Sequence, residues 1–417
     1  MNKEKQRILF ITYFAANEPL LDSRTTPVLR ELTKSGIEYH LITFEKKGGP
    51  NNDILFYDAD YLRDKFNRSG IKWHPLNYHK RPLTISTLYD ILVGIFHSIF
   101  ILIAKNIDFI HAQTAVGGAI AVCVAKAFKK KFIYDINGLL AEEYADAGIW
   151  NRKSIVFKMV RGFEKYIIFN ADGIIPLSKR FAETIREGKY IPYKKMNWNL
   201  QVIPSHVDTD RFKCEISRDI ELQERYNLKG KFVIIYVGSV GTWYMFSEML
   251  DFFNVAKKLI PEAIFLILTH THKDIVRYHA YTKGIRERNI IITEVLPHEV
   301  PRYLSVADSG IFFIKSTFSK QACSPIKLGE YLASGLPVVI NSNVGDTDIL
   351  VKSTNTGVVI DRFEENAYKD AALNLKHLID TDKGLKKRCY KTAQEHLSLD
   401  TAIEKYKRLY KDTFKIP

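Results

Sequence analysis

Along the 417 residues, short apolar runs alternate with stretches whose apolar positions recur at helical spacing. RILFITYF is followed by the amphipathic PVLRELTKSG and then by YHLITF. DFIHA, KFIYDI, DGIIPLS and LQVIPS continue the series, each separated by a helix-length segment. A second series opens at FVIIYVGSVG and runs through AIFLILT, NIIIT, SGIFFI, PVVINS and TGVVI. Strands apolar on both faces, alternating with helices, predict parallel sheets covered on both sides.

The two series meet at HVDTDRFKCEISRDIELQERYNLKG, which is polar and carries no strand signal. A boundary near Asp210 follows, with one α/β domain over 1–209, a second over 210–398, and a last helix, 399–417, returning to the first. Two such domains facing each other make a cleft at the C-terminal ends of their strands, where open parallel sheets bind ligands.

ISTLYDILVGIFHSIFILIAK is long enough to suggest a membrane span, but Asp90, His97 and Ser98 interrupt it. A carboxylate in hydrocarbon is costly, so a spanning helix is not expected. The plain reading is a core helix leading into DFIHA. The alternative is a helix resting in a bilayer surface beside Lys80, Arg81 and Lys105.

Net charge is +14, which points to an anionic partner: phosphorylated substrates, an anionic membrane or nucleic acid. The lysine clusters are scattered, and several, such as Lys257-Lys258, close apparent helices where cations suit the dipole. No basic stripe interleaved with aromatics appears, so no nucleic-acid partner is expected. The four cysteines lie far apart with no CxxC pair, which fits a reducing compartment. The start, MNKEKQRILFITYF, does not read as a signal peptide, so a cytoplasmic location is expected.

Two segments carry candidate chemistry. FVIIYVGSVGTWYMFSEMLDFF reads as strand, tight turn and helix, with Gly238 and Gly241 allowing backbone to approach a ligand. It has neither the three-glycine dinucleotide fingerprint nor a P-loop GK[ST]. In SPIKLGEYLASGLPVVI, Ser324 is placed as N-cap and Pro325 at the first helical position. Lys327 then falls in the first turn, where the helix dipole favours an anion. The free amides of Ile326 and Lys327, with the Lys327 ammonium, suit a diphosphate, and Glu330 lies on the same helical side. The competing reading is a solvated ion pair between Lys327 and Glu330.

These segments resemble the retaining nucleotide-sugar glycosyltransferases of the GT-B fold, family GT4, a group that includes many bacterial surface-polysaccharide enzymes. SPIKLGEYLASGLPVVI is similar to their donor helix, of the form E-x7-E…A-x-G-x-PVV. YVGSVGTWY resembles their first donor-domain strand and turn, VIPSHVDTDRF their domain junction, and ADGIIPLSKRF their AD-x-I-x-x-S element. VLPHEVPRYLSVADSGIFFI resembles the segment flanking the nucleotide base, and FIYDINGLLAEEYADAGIW a D-I-R-G-x-x-x-E block of the surface-polysaccharide subgroup.

The resemblance implies a GT-B fold: two facing Rossmann-like, doubly wound parallel-sheet domains with an interdomain cleft. It implies transfer of a sugar, with retention, from a UDP- or GDP-linked donor to a carbohydrate acceptor, with the lipid-linked glycans of capsule or lipopolysaccharide in view. Glu330 becomes the second motif glutamate, on the ribose hydroxyls. Gly238, Ser239, Val240, Gly241, Thr242 and Thr269 fall on the donor side with Leu296, as does the helix start Ser324, Pro325, Ile326 and Lys327. Asn137 stands where the subgroup carries arginine, and with Gly138 and Glu142 marks the acceptor side. Arg24, in the long loop after the first strand, joins them by position, with a plain surface residue as the equal competing reading. Lys327, Glu330 and Asn137 are the expected catalytic residues. Ala322 occupies the position of the first motif glutamate. No cofactor or metal is expected; the D-x-D pairs Asp58/Asp60, Asp208/Asp210 and Asp346/Asp348 sit in apparent loops.

Residues at the end of KFIYDI should face the acceptor, although Glu142 and Glu143 also fit an ordinary acidic helix start. His111 and His206 read as satisfied core or loop histidines. The charge and the 85–105 helix together suggest peripheral contact with the inner face of an anionic membrane. Two alternatives stay open: a non-catalytic sugar-nucleotide-binding partner of an active enzyme, and a sugar-nucleotide epimerase on the same fold.

Overall fold

A computed structural model describes residues 5–18, 20–46, 59–79, 81, 83–191, 198–214, 217–241 and 243–416. Thr242, Asp58 and Lys80 lie outside the described residues. The chain divides into two compact units, 1–204 with 402–417, and 205–401.

The first unit holds β1 (Gln6–Thr12), α1 (Thr26–Thr33), β2 (Ile37–Glu45), α2 (Ala59–Arg68) and β3 (Ile71–Asn77). α3 (Leu83–Ala104), β4 (Phe109–Gln113), α4 (Thr114–Phe128), β5 (Phe132–Ile136), α5 (Leu140–Asp146) and α6 (Ile155–Asn170) follow. β6 (Gly173–Pro176), α7 (Lys179–Arg186) and the short β7 (Asn199–Leu200) complete its sheet. The seven strands are ordered β3-β2-β1-β4-β5-β6-β7, and every pair is parallel.

The second unit holds α8 (Ile220–Arg225), β8 (Phe232–Val237), α9 (Phe246–Leu259), β9 (Ala263–Leu268) and α10 (Lys273–Thr282). Then come β10 (Ile290–Thr293), α11 (Val300–Ser305), β11 (Ser309–Phe312), α12 (Ile326–Ala333) and β12 (Val338–Asn341). α13 (Thr347–Thr354), β13 (Gly357–Ile360), α14 (Glu365–Thr381) and α15 (Leu385–Leu397) close the unit. α16 (Leu399–Phe414) runs from it into the first unit. There Phe414 stacks on Phe109, with ring centres 4.3 Å apart. The six strands of the second sheet are ordered β10-β9-β8-β11-β12-β13, again all parallel.

Strand order reverses between β1 and β4 in one sheet and between β8 and β11 in the other. At such a reversal the loops leaving the two central strands diverge and leave a crevice at their carboxyl ends. Gly238 follows β8 directly, and the loop after β11 leads to α12. Topology therefore places the two candidate donor segments at one crevice.

β3 was not evident from the sequence. Its side chains alternate between buried and exposed and Pro75 interrupts it, which an edge strand tolerates.

The 85–105 segment departs from the core-helix reading. On α3, Asp90 and Ser98 are fully buried, while Phe96 is 72% and Phe100 68% exposed. Asp90, one of the interruptions that argued against a membrane span, fastens the helix to the protein. Asp90 accepts hydrogen bonds from the Tyr13 hydroxyl at 2.7 Å and the His79 amide at 3.1 Å.

Candidate active site

In the second unit, Gly238 and Gly241 have φ of +144° and +104°, which side chains with a Cβ rarely adopt. The Gly238 amide donates to Leu268 O at 2.9 Å, and the Tyr236 hydroxyl donates to Ser239 O at 2.6 Å. The Val240 amide donates to the Thr271 hydroxyl at 3.0 Å. The Thr271 amide donates in turn to the Thr269 hydroxyl at 3.0 Å, which ties Thr269 to the glycine turn.

α12 begins one residue later than expected. Pro325, with ψ of 120°, is the cap, and no side chain caps the helix. The Ser324 hydroxyl instead accepts from the Ser205 amide at 3.0 Å, pinning the loop before the helix. Lys327 is thus the second helical residue. The first internal bond runs from the Leu328 amide to Pro325 O at 3.2 Å. The amides of Ile326 and Lys327 precede it and face outward, as at any helix start.

The Lys327 side chain is 7% exposed, and its ammonium lies 3.8 Å from the centre of the Tyr244 ring. A Cβ on Gly238 would fall 2.8 Å from its Nζ, so the glycine turn and the ammonium are in contact. No ion pair joins Lys327 to Glu330, which removes the solvated-pair reading. The Glu330 carboxylate has no hydrogen-bond partner among the described residues. Burial raises its pKa, and the positive charges of Lys327 and Arg211 only partly offset this. The glycine turn, the outward amides and the ammonium thus lie together, with the half-buried Glu330 carboxylate one turn further along α12.

Leu296 is partly exposed, and its amide donates to Glu299. Arg211 donates to the neighbouring carbonyl of Pro297, so the domain-junction motif reaches this segment. Ala322 is fully buried in the 3₁₀ turn Ser319–Ala322. Among the described residues no group of three His, Cys, Asp or Glu side chains is placed to hold a metal ion.

In the first unit, Arg24 lies on a π-helical turn, Leu21–Thr25, that leads into α1. It is 2% exposed and its guanidinium pairs with Asp135 at 3.1 Å. It also donates to Asn137 Oδ1. The Tyr406 hydroxyl of α16 donates to the same Asp135 at 3.0 Å. Burial opposes charge on Arg24, but Asp135 and Tyr406 together outweigh it and the pKa rises. Arg24 is therefore a buried support rather than an open acceptor contact. Asn137 Nδ2, by contrast, is buried without a hydrogen-bond partner among the described residues, and its amide orientation is set by the Arg24 bond. A Cβ on Gly138 would lie 3.1 Å from the Glu143 carboxylate. Glu142 was expected on the acceptor side. Its carboxylate is instead enclosed by Arg152 and Arg161.

The sequence reading missed Tyr244, Arg211 and Tyr406. Trp243-Tyr244 directly after the glycine turn and the arginine of VDTDRF were visible signals. Tyr406 had none beyond the apolar periodicity of its helix.

Residues 25–211 match the family model described as Glycosyltransferase Family 4, and residues 218–396 match Glycosyl transferases group 1. Among solved structures, sucrose-phosphate synthase from Thermosynechococcus elongatus superposes with a TM-score of 0.72 at 15% identity, over 98% of this chain and 99% of that one. Anabaena Alr3699/HepE in complex with UDP-glucose gives 0.68 at 13%, over 98% and 100%. WaaG, a glycosyltransferase involved in lipopolysaccharide biosynthesis, gives 0.61 at 14%, over 93% and 99%. No curated protein sequence gives a significant match. The fold is GT-B. The chain is a glycosyltransferase of the group 1 and family 4 type.

Proposed function

We propose that this enzyme transfers a sugar, with retention, from a nucleoside diphosphate donor to a carbohydrate acceptor. The observation that carries the reading is the contact of the Lys327 ammonium with the Gly238 turn, with the Glu330 carboxylate, bonded by none of the described residues, one turn along α12. In the transfer, the bond from the anomeric carbon to the diphosphate oxygen breaks and its electron pair leaves with that oxygen. The acceptor hydroxyl oxygen bonds to the anomeric carbon from the same face, and its proton passes to the departing phosphate. Lys327 and the outward amides stabilise the charge that develops there, and Glu330 accepts from the ribose hydroxyls. Asn137, half-buried after β5, is the residue we assign to the acceptor. HepE was solved with UDP-glucose, which supports a uridine-linked donor.

The acceptor we propose is a lipid-linked glycan of a surface polysaccharide. The DINGLLAEEYADAGIW block supports this, as does the likeness to WaaG. Ala322 favours a second reading, a sugar-nucleotide-binding partner without activity. Incubating the purified protein with UDP- and GDP-sugars and glycan acceptors separates the two. Transfer that Glu330→Ala abolishes supports the enzyme. Donor binding without turnover supports the partner, and donor conversion without an acceptor indicates an epimerase.

A further inference from the structure

α3, α4 and α6 form one helical layer on the first sheet. A Cβ on Gly94 of α3 would collide with Ile120 of α4, and one on Gly118 of α4 would lie 2.9 Å from Ile167 of α6. α4 between them is mostly buried. Lys126, on its outer side, donates to the Tyr166 hydroxyl of α6 at 2.6 Å. The outer faces of α3 and α6 therefore border one another.

Both faces are apolar. On α3 the exposed residues include Ile85, Leu88, Leu92, Phe96, Phe100 and Ile103, a stripe at helical spacing flanked by exposed Tyr89 and His97. On α6 they include Ile155, Met159, Phe163 and Tyr166, with Ile155 at 75% exposure. Soluble surfaces seldom leave so continuous an apolar stripe uncovered.

Charge tells what covers it. α3 and α6 contain one carboxylate each, Asp90 and Glu164, and both point inward. Glu164 accepts from the amides of Leu140 and Ala141 at 2.7 and 3.2 Å. The exposed charges on these helices are cations: Lys126 on α4, Lys158 on α6, Lys153 just before it and Lys105 after α3, none in an ion pair among the described residues. An apolar stripe edged by lysines and free of acids matches the boundary between acyl chains and anionic headgroups.

We infer that the outer faces of α3 and α6 form one surface that seats on an anionic bilayer, with both helices in the plane of the interface. α3 has the length and composition of a span. The buried bonds of Asp90 on its other side hold it along the protein instead. The inference deepens the proposed function by giving a lipid-linked acceptor a surface on which to reach the enzyme.

The test is co-sedimentation of the full chain, without substrates, with phosphatidylcholine vesicles lacking or containing phosphatidylglycerol. Binding should require phosphatidylglycerol and weaken in high salt. Phe96→Glu with Phe100→Glu, and separately Met159→Glu, should each lower it about tenfold or more. Lys153→Glu with Lys158→Glu should remove the preference for the anionic lipid. UDP affinity should stay unchanged in all of them, which shows that the variants fold. No sedimentation with anionic vesicles overturns the inference, and so does binding indifferent to the α6 variants. A solution dimer that Phe96→Glu dissociates would make the face a subunit interface and would also overturn it. Because no substrate is present, these outcomes are independent of whether transfer is observed.

Discussion

The Lys327 ammonium stands 3.8 Å from the centre of the Tyr244 ring and makes no ion pair with Glu330 in the same helix. An i,i+3 pair was available, yet the lysine turns toward the glycine turn and rests on an aromatic face. A cation held over a ring can add an anion on its other side without first breaking a salt bridge.

Lys327→Met keeps the stem packed and removes only the charge. UDP should bind more weakly while uridine binding is unchanged, as read by calorimetry. Transfer should fall about a hundred- to a thousandfold, the usual cost of losing one preorganised donor at a developing charge. Equal losses for UDP and uridine would place Lys327 away from the diphosphate.

Glu330→Gln tests the ribose contact. The carboxylate's pKa is raised by burial, so above about pH 4.3 the unfolded chain releases this proton more readily than the folded one. The negative charge therefore costs stability at neutral pH, and Glu330→Gln should melt no lower than the parent. Donor affinity should drop about ten- to a hundredfold, as for a hydrogen bond to a charged group. With a 2′,3′-dideoxy nucleotide the two proteins should bind alike. A persisting difference would assign Glu330 another role.

The apolar runs placed most strands because those buried on both faces read as unbroken hydrophobic stretches. Edge strand β3 alternates and was passed over. Ser324, Pro325, Lys327 and Glu330 were visible as local chemistry, since helix-start residues act on their own backbone. The partner of Lys327 was not, because Tyr244 lies far from it in the chain and meets it only through sheet order. Arg24 and Glu142 were taken for open residues because sequence does not show which charges are enclosed. α3 misled in the opposite sense, as its apolar composition suggested burial while Asp90 and Ser98 face the protein.

Asp135 is 1% exposed and bonded by Arg24 and Tyr406. Arg24→Ala leaves that carboxylate buried without its cation, and the first unit should lose about 3–5 kcal/mol by urea denaturation. Adding Asp135→Asn should recover much of this loss, and Tyr406→Phe alone should cost about 1 kcal/mol. If Arg24→Ala proved neutral in stability but raised the acceptor KM, Arg24 would be an acceptor contact after all.

Acid sensitivity should be a property of the first unit. Burial, aided by the Arg24 charge, pushes the His111 pKa down to about 3, and burial takes His74 to about 4. His40 is lowered as well, chiefly by burial. An unfolded histidine takes its proton near pH 6.5, so between there and about pH 3 the unfolded chain binds more protons. The stabilisation from keeping these rings neutral is complete above about pH 6.5 and is lost as pH falls, at up to about 1.4 kcal/mol per pH unit for each group. The His111 ring bonds the Tyr410 hydroxyl at 2.6 Å, so His111→Gln should cost about 1 kcal/mol at neutral pH. It should also flatten the decline on acidification by one proton's worth. Melts of both proteins across this range decide the matter: parallel curves would mean that His111 takes no part in acid unfolding.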